Sequence, residues 1–470
     1  MAEDGKQGNG GNGSGDVSDV IVIGGGPAGS TAAALLAKRG HTVTLFEKEK
    51  FPREHVGESL LPFCYDLFKE LGVVEQLAGS FVRKPGVRFV NSLGTVSTRW
   101  CFSHIIHDER YLSFQVVRSE FDQILLDNAR RHGAQVHEQV KVEAVELENE
   151  GGIVRVRATG PEWQGREFQG RFLIDASGRD CFMQRSMKWR KPHPNLERTA
   201  LWTHWDGVEQ LKGGLEEGMS IIVYLGGTKR GWVWIFPLGR QSLTVGVVLD
   251  SASLREGKTA ALEAQHDDWR TGVYLEELRQ SPFVQELLEG GKMSKRLMVE
   301  ADYSYFSDQK YGSNFALVGD ASRFIDPIFS SGIYLSMKSS ALVADALHER
   351  FTGGDGVRAL DAAYDQINGA YNLIYRLISL YYTPGAISFA EAASAFDPEY
   401  ERHQAAVAAA HFLIAGDFFE NHKKYDEFLT FMAEKRAFGK FKSFVIDREQ
   451  FYADRCLDEG VEVFPESETT

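Results

Sequence analysis

The sequence has 470 residues, 43% hydrophobic and 25% charged, which suits a folded chain with about two or three cores and excludes a disordered one. Lysine and arginine total 52 against 66 aspartates and glutamates, and the net charge of −14 excludes a broad electrostatic footprint for nucleic acid or anionic membrane. Four cysteines, Cys64, Cys101, Cys181 and Cys456, lie far apart without a CxxC pair, so the pattern predicts reduced thiols in a cytoplasmic protein, with no disulfide framework and no zinc site. Thirteen histidines show no HExxH or other ligand spacing, and no metal is assigned.

Residues 1–18, rich in Gly, Asn and Ser, lack the basic start and apolar core of a signal peptide and read as a flexible tail. From Asp19 the pattern changes. Val20 to Ile23 reads as a buried strand, Ala28 to Arg39 as a helix and Thr42 to Phe46 as a second strand, a βαβ unit. Between strand and helix, Gly24, Gly26 and Gly29 form a GxGxxG, with Pro27 and Ala28 inside it. The first glycine permits the tight turn, the second lets a pyrophosphate approach the backbone, and the third lets helix pack on strand. An anion then sits at a helix N-terminus. Glu47, followed by Lys48, ends the second strand where it can accept hydrogen bonds from ribose hydroxyls; the alternative is a solvated strand end.

Farther along, "FVRKPG" places Lys84 at the edge of an apolar run. Segments 86–111 and 196–295 carry alternating, aromatic-rich runs that suit an antiparallel sheet. An apolar strand ends in "DASG", Asp175 to Gly178, and another runs into "GDAS" at Asp320 before a long helix. From about residue 351 the chain is helical and aromatic, with Tyr381 and Tyr382 as pocket or core residues. No run reaches the roughly 18 to 20 apolar residues of a membrane span. A second GxGxxG is absent, so the chain shows no separate nicotinamide-binding fold.

Taken together, GGGPAG, "DASG" and "GDAS" resemble the FAD-binding frame of aromatic hydroxylases, geranylgeranyl-type reductases and flavin-dependent halogenases. The resemblance implies an α/β fold: a Rossmann-type FAD-binding domain (19–85, 112–195 and 296–350), an interleaved antiparallel substrate-side sheet (86–111 and 196–295) and a helical C-terminal region (351–470). It also implies that Asp320 meets the ribityl or pyrophosphate part of FAD, with Asp175, Gly178, Gly332 and Ile333 alongside. Arg118 matches an arginine that touches the cofactor from a helix start; an exposed helix-start charge is the competing reading.

Three further elements resemble the halogenases, especially the branch acting on phenols and pyrroles. "PREHVGESLLP" follows the adenosine-binding strand. "GWVWIFP" matches a WxWxIP pattern through Trp232, Trp234 and Pro237, with Phe236 replacing the usual Ile, and implies a tunnel wall. "FIDPIFSSG" matches FxxPxxSxG, which implies that the backbone N–H groups of Ser331 and Gly332 hold a halide at a helix start. Phe329 stands where the tryptophan-specific branch has a glutamate, which argues against free tryptophan as substrate.

In this setting Lys84 becomes the catalytic lysine of the resemblance. Its ammonium would hydrogen-bond hypohalous acid, or its neutral amine would form a haloamine; arginine offers no neutral form. The implied enzyme uses FADH2, O2, and chloride or bromide. A separate NAD(P)H-dependent flavin reductase serves it, and its substrate is a phenol or pyrrole, free or tethered to a carrier protein. The basic stretch from Arg179 to Lys191 is a candidate carrier dock or a solvated loop. Rival readings are an FAD-dependent hydroxylase or alkene reductase of the same fold, and a flavin-binding redox module without turnover. No residue accepting the ring proton is identifiable from sequence.

Overall fold

Val20, Ile21 and Val22 are wholly buried, because the strand they form, Ser18–Ile23, lies inside a sheet covered on both faces. The computed structural model describes residues 17–148, 152–193, 196–227, 229–301, 304–383, 388–390, 401–433, 456–458 and 460–465. Of the expected flexible tail, residues 1–16 lie outside the described residues, and Ser18 already pairs with Gly170 in the sheet. Ser18–Ile23 runs parallel to Val43–Phe46 on one side and to Trp163–Asp175 on the other, with Phe315–Leu317 parallel beyond. Antiparallel strands Val154–Gly160 and Lys141–Leu147 complete that edge.

The helix Pro27–Lys38 starts with proline at its first turn and packs against the long helix Gly332–Phe351. That packing is close: a Cβ on Gly29 would stand 1.9 Å from the Gly24 carbonyl oxygen. Gly24 itself has φ +99°, and a Cβ there would meet the Ala176 carbonyl oxygen at 2.4 Å. The motif therefore seats two strand ends and a helix start against one another.

A second sheet orders Lys292–Met293, Arg198–Asp206, Ser242–Asp250, Trp232–Pro237, Ser220–Tyr224, Gly86–Val90 and Ser97–Cys101, with Met298–Ala301 also on Arg198–Asp206. Alternation along its strands sends Leu201, Val233, Ile235, Val245 and Val247 toward helices Ser251–Glu263 and Trp269–Arg279. Trp202, Trp232, Trp234 and Phe236 face the first sheet's side. One pairing departs from the antiparallel expectation: Ser220–Tyr224 runs parallel to Gly86–Val90. These strands come from distant parts of the chain, so no hairpin dictates their sense. Helices Gly356–Tyr382, Glu401–Ala415 and His422–Ala433 follow. Among the described residues, no helix is long and apolar enough to cross a membrane.

The cysteines differ from expectation. Cys101 and Cys456 form a disulfide with Cα atoms 5.0 Å apart, whereas Cys64 and Cys181 are free and buried. Sequence spacing held no hint of this, because the pair is joined by tertiary docking of the last described segment. Val463 accepts a hydrogen bond from the Arg83 backbone N–H at 2.8 Å, and Asp458 accepts one from the Tyr111 hydroxyl at 3.0 Å.

Candidate active site

A cavity of about 980 Å³ opens where the parallel strands end and the second sheet begins, a volume suited to a large cofactor. Gly24, Gly26, Pro27, Ala28, Glu47, Lys48, Arg118, Gly178, Asp320, Gly332, Ile333, Trp232, Trp234 and Phe236 all line it. Gly29, Asp175, Ser331, Pro237, Phe329, Tyr381, Tyr382 and Lys84 do not.

The Glu47 carboxylate is buried and accepts from the Gly25 N–H at 2.7 Å and the Glu49 N–H at 2.8 Å. It thus braces the glycine loop from the neighbouring strand end. Arg118 is buried, not an exposed charge: Asp122 accepts from its Nε at 2.8 Å and its Nη2 at 2.9 Å, and the Val56 carbonyl accepts from Nη1. Lys48, exposed at the rim, pairs with Asp180. Burial pushes the Asp320 carboxyl up to about 6, with Arg179 and Arg118 acting in the opposite direction. Asp175 is fully buried behind the cavity and accepts from the Ser177 and Met183 N–H groups at 3.0 and 2.8 Å, so it shapes the turn.

The chain suits an anionic dinucleotide on its own terms. Arg179 Nε is buried at the wall without a hydrogen-bond acceptor among the described residues, Arg53 Nη1 there meets Asp122 Oδ2 at 3.4 Å without good hydrogen-bond geometry, and the first turn of Pro27–Lys38 leaves backbone N–H groups free of intrahelical partners. A pyrophosphate satisfies these donors. FAD is therefore the group that the cavity fits.

On the opposite wall, Trp232, Trp234 and Phe236 alternate along one strand, with ring centroids 5.5 and 6.4 Å apart. Trp234 lies over Gly246, where a Cβ would meet its ring at 2.2 Å. The loop 324–332 closes the cavity floor through Phe324, Pro327, Ser330 and Gly332. Ser330 holds φ +54°, a left-handed conformation uncommon for a non-glycine residue. Gly332 opens the helix Gly332–Phe351, and a Cβ there would touch nothing within 4 Å.

Tyr382, expected in a tunnel wall, instead bridges wall and loop. Its hydroxyl accepts from Trp232 Nε1 at 2.9 Å and donates to Asp326 Oδ2 at 2.8 Å. Burial pushes the Asp326 carboxyl up to about 6, with the Tyr382 hydrogen bond acting against that rise. Tyr382→Phe leaves a buried carboxylate oxygen and an indole N–H short of a partner, and is expected to cost about 1–3 kcal/mol, read from urea midpoints. An unchanged midpoint would count against the bridge. Tyr381 stacks on Tyr224 at 4.9 Å and stands edge-on to Phe329 at 6.0 Å, behind the wall.

Lys84 ends the strand Val82–Lys84, paired antiparallel with Ser113–Gln115, and only 1% of it is exposed. Such burial is unusual for a lysine, whose commonest place is a solvated surface. Its Nζ donates to the Leu60 carbonyl at 2.8 Å and lies 5.5 Å from the Phe102 ring centroid. Burial pushes its pKa down to about 7, with Cys64 acting weakly in the opposite direction. Leu60 directly follows Glu58 and Ser59, which both line the cavity, so one short stretch touches cavity and lysine.

Sequence reasoning missed Arg53, His55, Glu58 and Arg179 on the cavity wall. The first three sit inside "PREHVGESLLP", an element quoted without assigning its side chains. His204, whose Nε2 lies 2.9 Å from Glu58 Oε1 in a buried pair, comes from a remote strand and had no local signal.

The FAD binding domain family matches residues 17–369. A tryptophan 2-halogenase of Chondromyces crocatus is 35% identical over 366 residues, covering 76% of this chain and 66% of that protein. A flavin-dependent halogenase of Armillaria mellea, armH3, is 34% identical over 351 residues, covering 72% of this chain and 68% of its own. This chain belongs to the flavin-dependent halogenases.

A third relative of the halogenase, the 1H-pyrrole-2-carbonyl-[peptidyl-carrier protein] chlorinase of Pseudomonas fluorescens, is 30% identical over 385 residues, 77% of this chain and 83% of that one. Among solved structures, the flavin-dependent brominase Bmp2 superposes with a TM-score of 0.73 at 25% identity, over 90% of this chain and 100% of that one. The chondrochloren halogenase CndH gives 0.69 at 29% identity, over 92% and 100%. The halogenase is thus an FAD-dependent oxidoreductase with the expected α/β architecture.

Proposed function

We propose that this halogenase oxidises chloride or bromide and delivers the halogen through Lys84 to an electron-rich phenol or pyrrole. The observation that carries the reading is the wholly buried lysine, tethered to Leu60, the residue after cavity-lining Ser59. Bound FADH2 with O2 supplies the two-electron oxidation of halide to hypohalous acid.

The chain's own residues do the rest. Backbone N–H groups of Ser331 and Gly332, at a positive helix end, favour the halide. Trp232, Trp234 and Phe236 keep water from the oxidant's path. Lys84 either donates a hydrogen bond to hypohalous acid or, as the amine, takes its halogen while hydroxide leaves and combines with the amine's proton as water. Attack by the ring then returns the amine. Neither a hydroxylase nor an alkene reductase requires such a lysine.

A separate NAD(P)H-dependent reductase supplies the reduced flavin, which places the reaction in the cytoplasm, where that nucleotide is regenerated. Incubating the protein with FAD, a flavin reductase, NADH, O2, halide and a panel of free and carrier-bound phenols and pyrroles is expected to give ring-halogenated product. Hydroxylated product without halogen would support the hydroxylase instead.

Carrier docking on the basic stretch has a geometric objection. Arg185 is exposed but lines the cavity beside Lys48 and Glu47, at the end fit for the nucleotide, and Arg179 pairs with Glu300. We therefore expect the double variant Arg185→Ser, Lys188→Ser to lower turnover of carrier-bound and free rings by the same factor. A loss confined to the carrier-bound ring would restore the dock.

A further inference from the structure

One buried titratable pair has no part in the scheme above. Glu58 lines the cavity and is 3% exposed, and its Oε1 lies 2.9 Å from Nε2 of His204, which is 5% exposed. A contact of that length holds one proton between nitrogen and oxygen, whichever atom carries it. The other carboxylate oxygen, Oε2, has no hydrogen-bond partner among the described residues. Taking a carboxylate and an imidazole out of water is unfavourable, so a pair of them at a cavity wall calls for a reason.

Both partners are fixed by backbone. The Glu58 carbonyl accepts from the Val116 N–H at 2.7 Å, and the Leu60 N–H donates to the Phe114 carbonyl at 3.0 Å, so Glu58 sits in a short extended stretch beside Ser113–Gln115. Gly57, just before it, takes φ +102°, which glycine adopts without strain. His204 belongs to Arg198–Asp206, opposite Thr244, and Thr244 is opposite Phe236 of the cavity wall. On the solvent side, the Thr203 hydroxyl donates to the Lys295 carbonyl at 2.8 Å, and Lys295 Nζ donates at 2.7 Å to exposed Glu54 on the cavity rim. That puts His204 one residue from a rim open to water.

We propose that Glu58 is a catalytic acid, handing the proton of this pair to the oxygen that leaves as water when halide is oxidised, and that His204 is a positioning residue that holds Glu58 and returns a proton from the rim. This rests on the halogenase reading. FADH2, O2, halide and one proton give FAD, hypohalous acid and water. The O–O bond breaks, an oxygen–halogen bond forms with the halide's electron pair, and reduced flavin gives two electrons and two protons. The products carry three hydrogens, so the third comes from elsewhere. Hydrogen peroxide, the competing product, needs no outside proton, since FADH2 and O2 alone give FAD and H2O2. A proton held at the cavity wall therefore decides which product forms. Of the other carboxyls on that wall, Glu49, Glu54 and Asp180 are exposed, Glu47 is held by two backbone N–H groups, and Asp320 faces Arg179 and Arg118. Glu58 is the buried one that an imidazole keeps supplied.

The test compares wild type, Glu58→Gln and His204→Gln, each holding one equivalent of reduced FAD and mixed with O2 and bromide. A 1,3-dione trap reads hypohalous acid, and hydrogen peroxide is read in parallel reactions. Glu58→Gln keeps the size of the side chain and is expected to bind FAD, by flavin-fluorescence titration, while its ratio of hypohalous acid to hydrogen peroxide falls about 10²-fold. His204→Gln is expected to lower the ratio about 10-fold, and it carries the test if Glu58→Gln does not fold. In the FAD-free protein, a downfield NMR resonance from the proton of the Glu58–His204 bond is expected in wild type and is lost in His204→Gln; its absence from wild type overturns the shared proton. An unchanged ratio in Glu58→Gln overturns the assignment, and weakened FAD binding at that unchanged ratio makes Glu58 a cofactor ligand instead. An unchanged ratio in His204→Gln overturns the role of the imidazole. Absence of hypohalous acid from wild type overturns the halogenase reading itself.

Discussion

Lys84→Met is expected to lower ring halogenation by about 10³-fold or more, while FAD still binds and hypohalous acid still escapes to a trap. Methionine fills a similar volume among Phe102, Cys64 and Leu60 but neither donates to hypohalous acid nor carries halogen. Lys84→Arg is expected to fail as well, since guanidinium has no accessible neutral form. Halogenation per hypohalous acid formed should rise with pH through about 7, where the buried ammonium becomes an amine. A profile that falls across that range would instead favour the ammonium as donor.

The same burial predicts a stability signature. The folded pKa, about 7, lies below the ordinary 10.5, so between those values the unfolded chain binds more protons and wild-type stability rises with pH. Below pH 7 both states are protonated and the full cost of burying the charge remains. Lys84→Met removes that cost, so its melting temperature should exceed wild type most at pH 6, with the gap closing toward pH 10. A gap independent of pH would show that Lys84 is not held in a desolvating site.

Gly29→Ala is expected to destabilise the fold by about 3 kcal/mol and to abolish measurable FAD binding. The added Cβ would stand 1.9 Å from the Gly24 carbonyl oxygen and 3.2 Å from Val22. Backbone cannot swing away as a side chain does, so the helix Pro27–Lys38 must lift from the strand, carrying its N-terminal N–H groups out of register with the cavity. Gly79→Ala is the control: it lies in the helix Val74–Ser80 with nothing within 4 Å of the new methyl. Alanine there should stabilise by about 0.5–1 kcal/mol. Urea denaturation and flavin-fluorescence titration read both, and equal behaviour of the two variants would sink the argument.

The parts legible in the sequence were those where function imposes local spacing. Gly24, Gly26 and Glu47 needed only a strand, a turn and a second strand to be placed, and Trp232 with Trp234 followed from a period of two. Contacts between remote elements were not legible. The Cys101–Cys456 bond, the Glu58–His204 pair and the Trp232–Tyr382 hydrogen bond each join residues more than a hundred positions apart. Burial was the other hidden quantity: "FVRKPG" carries no mark that Lys84, rather than Arg83, turns inward. Only the pairing of Lys84 with Ser113 and the cover from Phe102 decide it. Asp175 misled for a related reason, since a carboxylate at a strand end serves a turn as readily as a cofactor.

Docking of the last described segment gives this enzyme an order of assembly. Arg83, beside the lysine, finds its backbone acceptor in Val463, and the nearby cross-link spans 355 positions. A chain emerging from the ribosome N-terminus first builds its glycine loop early but cannot complete the edge beside Lys84 until almost everything else has been translated. The lysine proposed to deliver halogen is thereby enclosed last, and a nascent chain, or one clipped before Cys456, lacks the completed lysine edge.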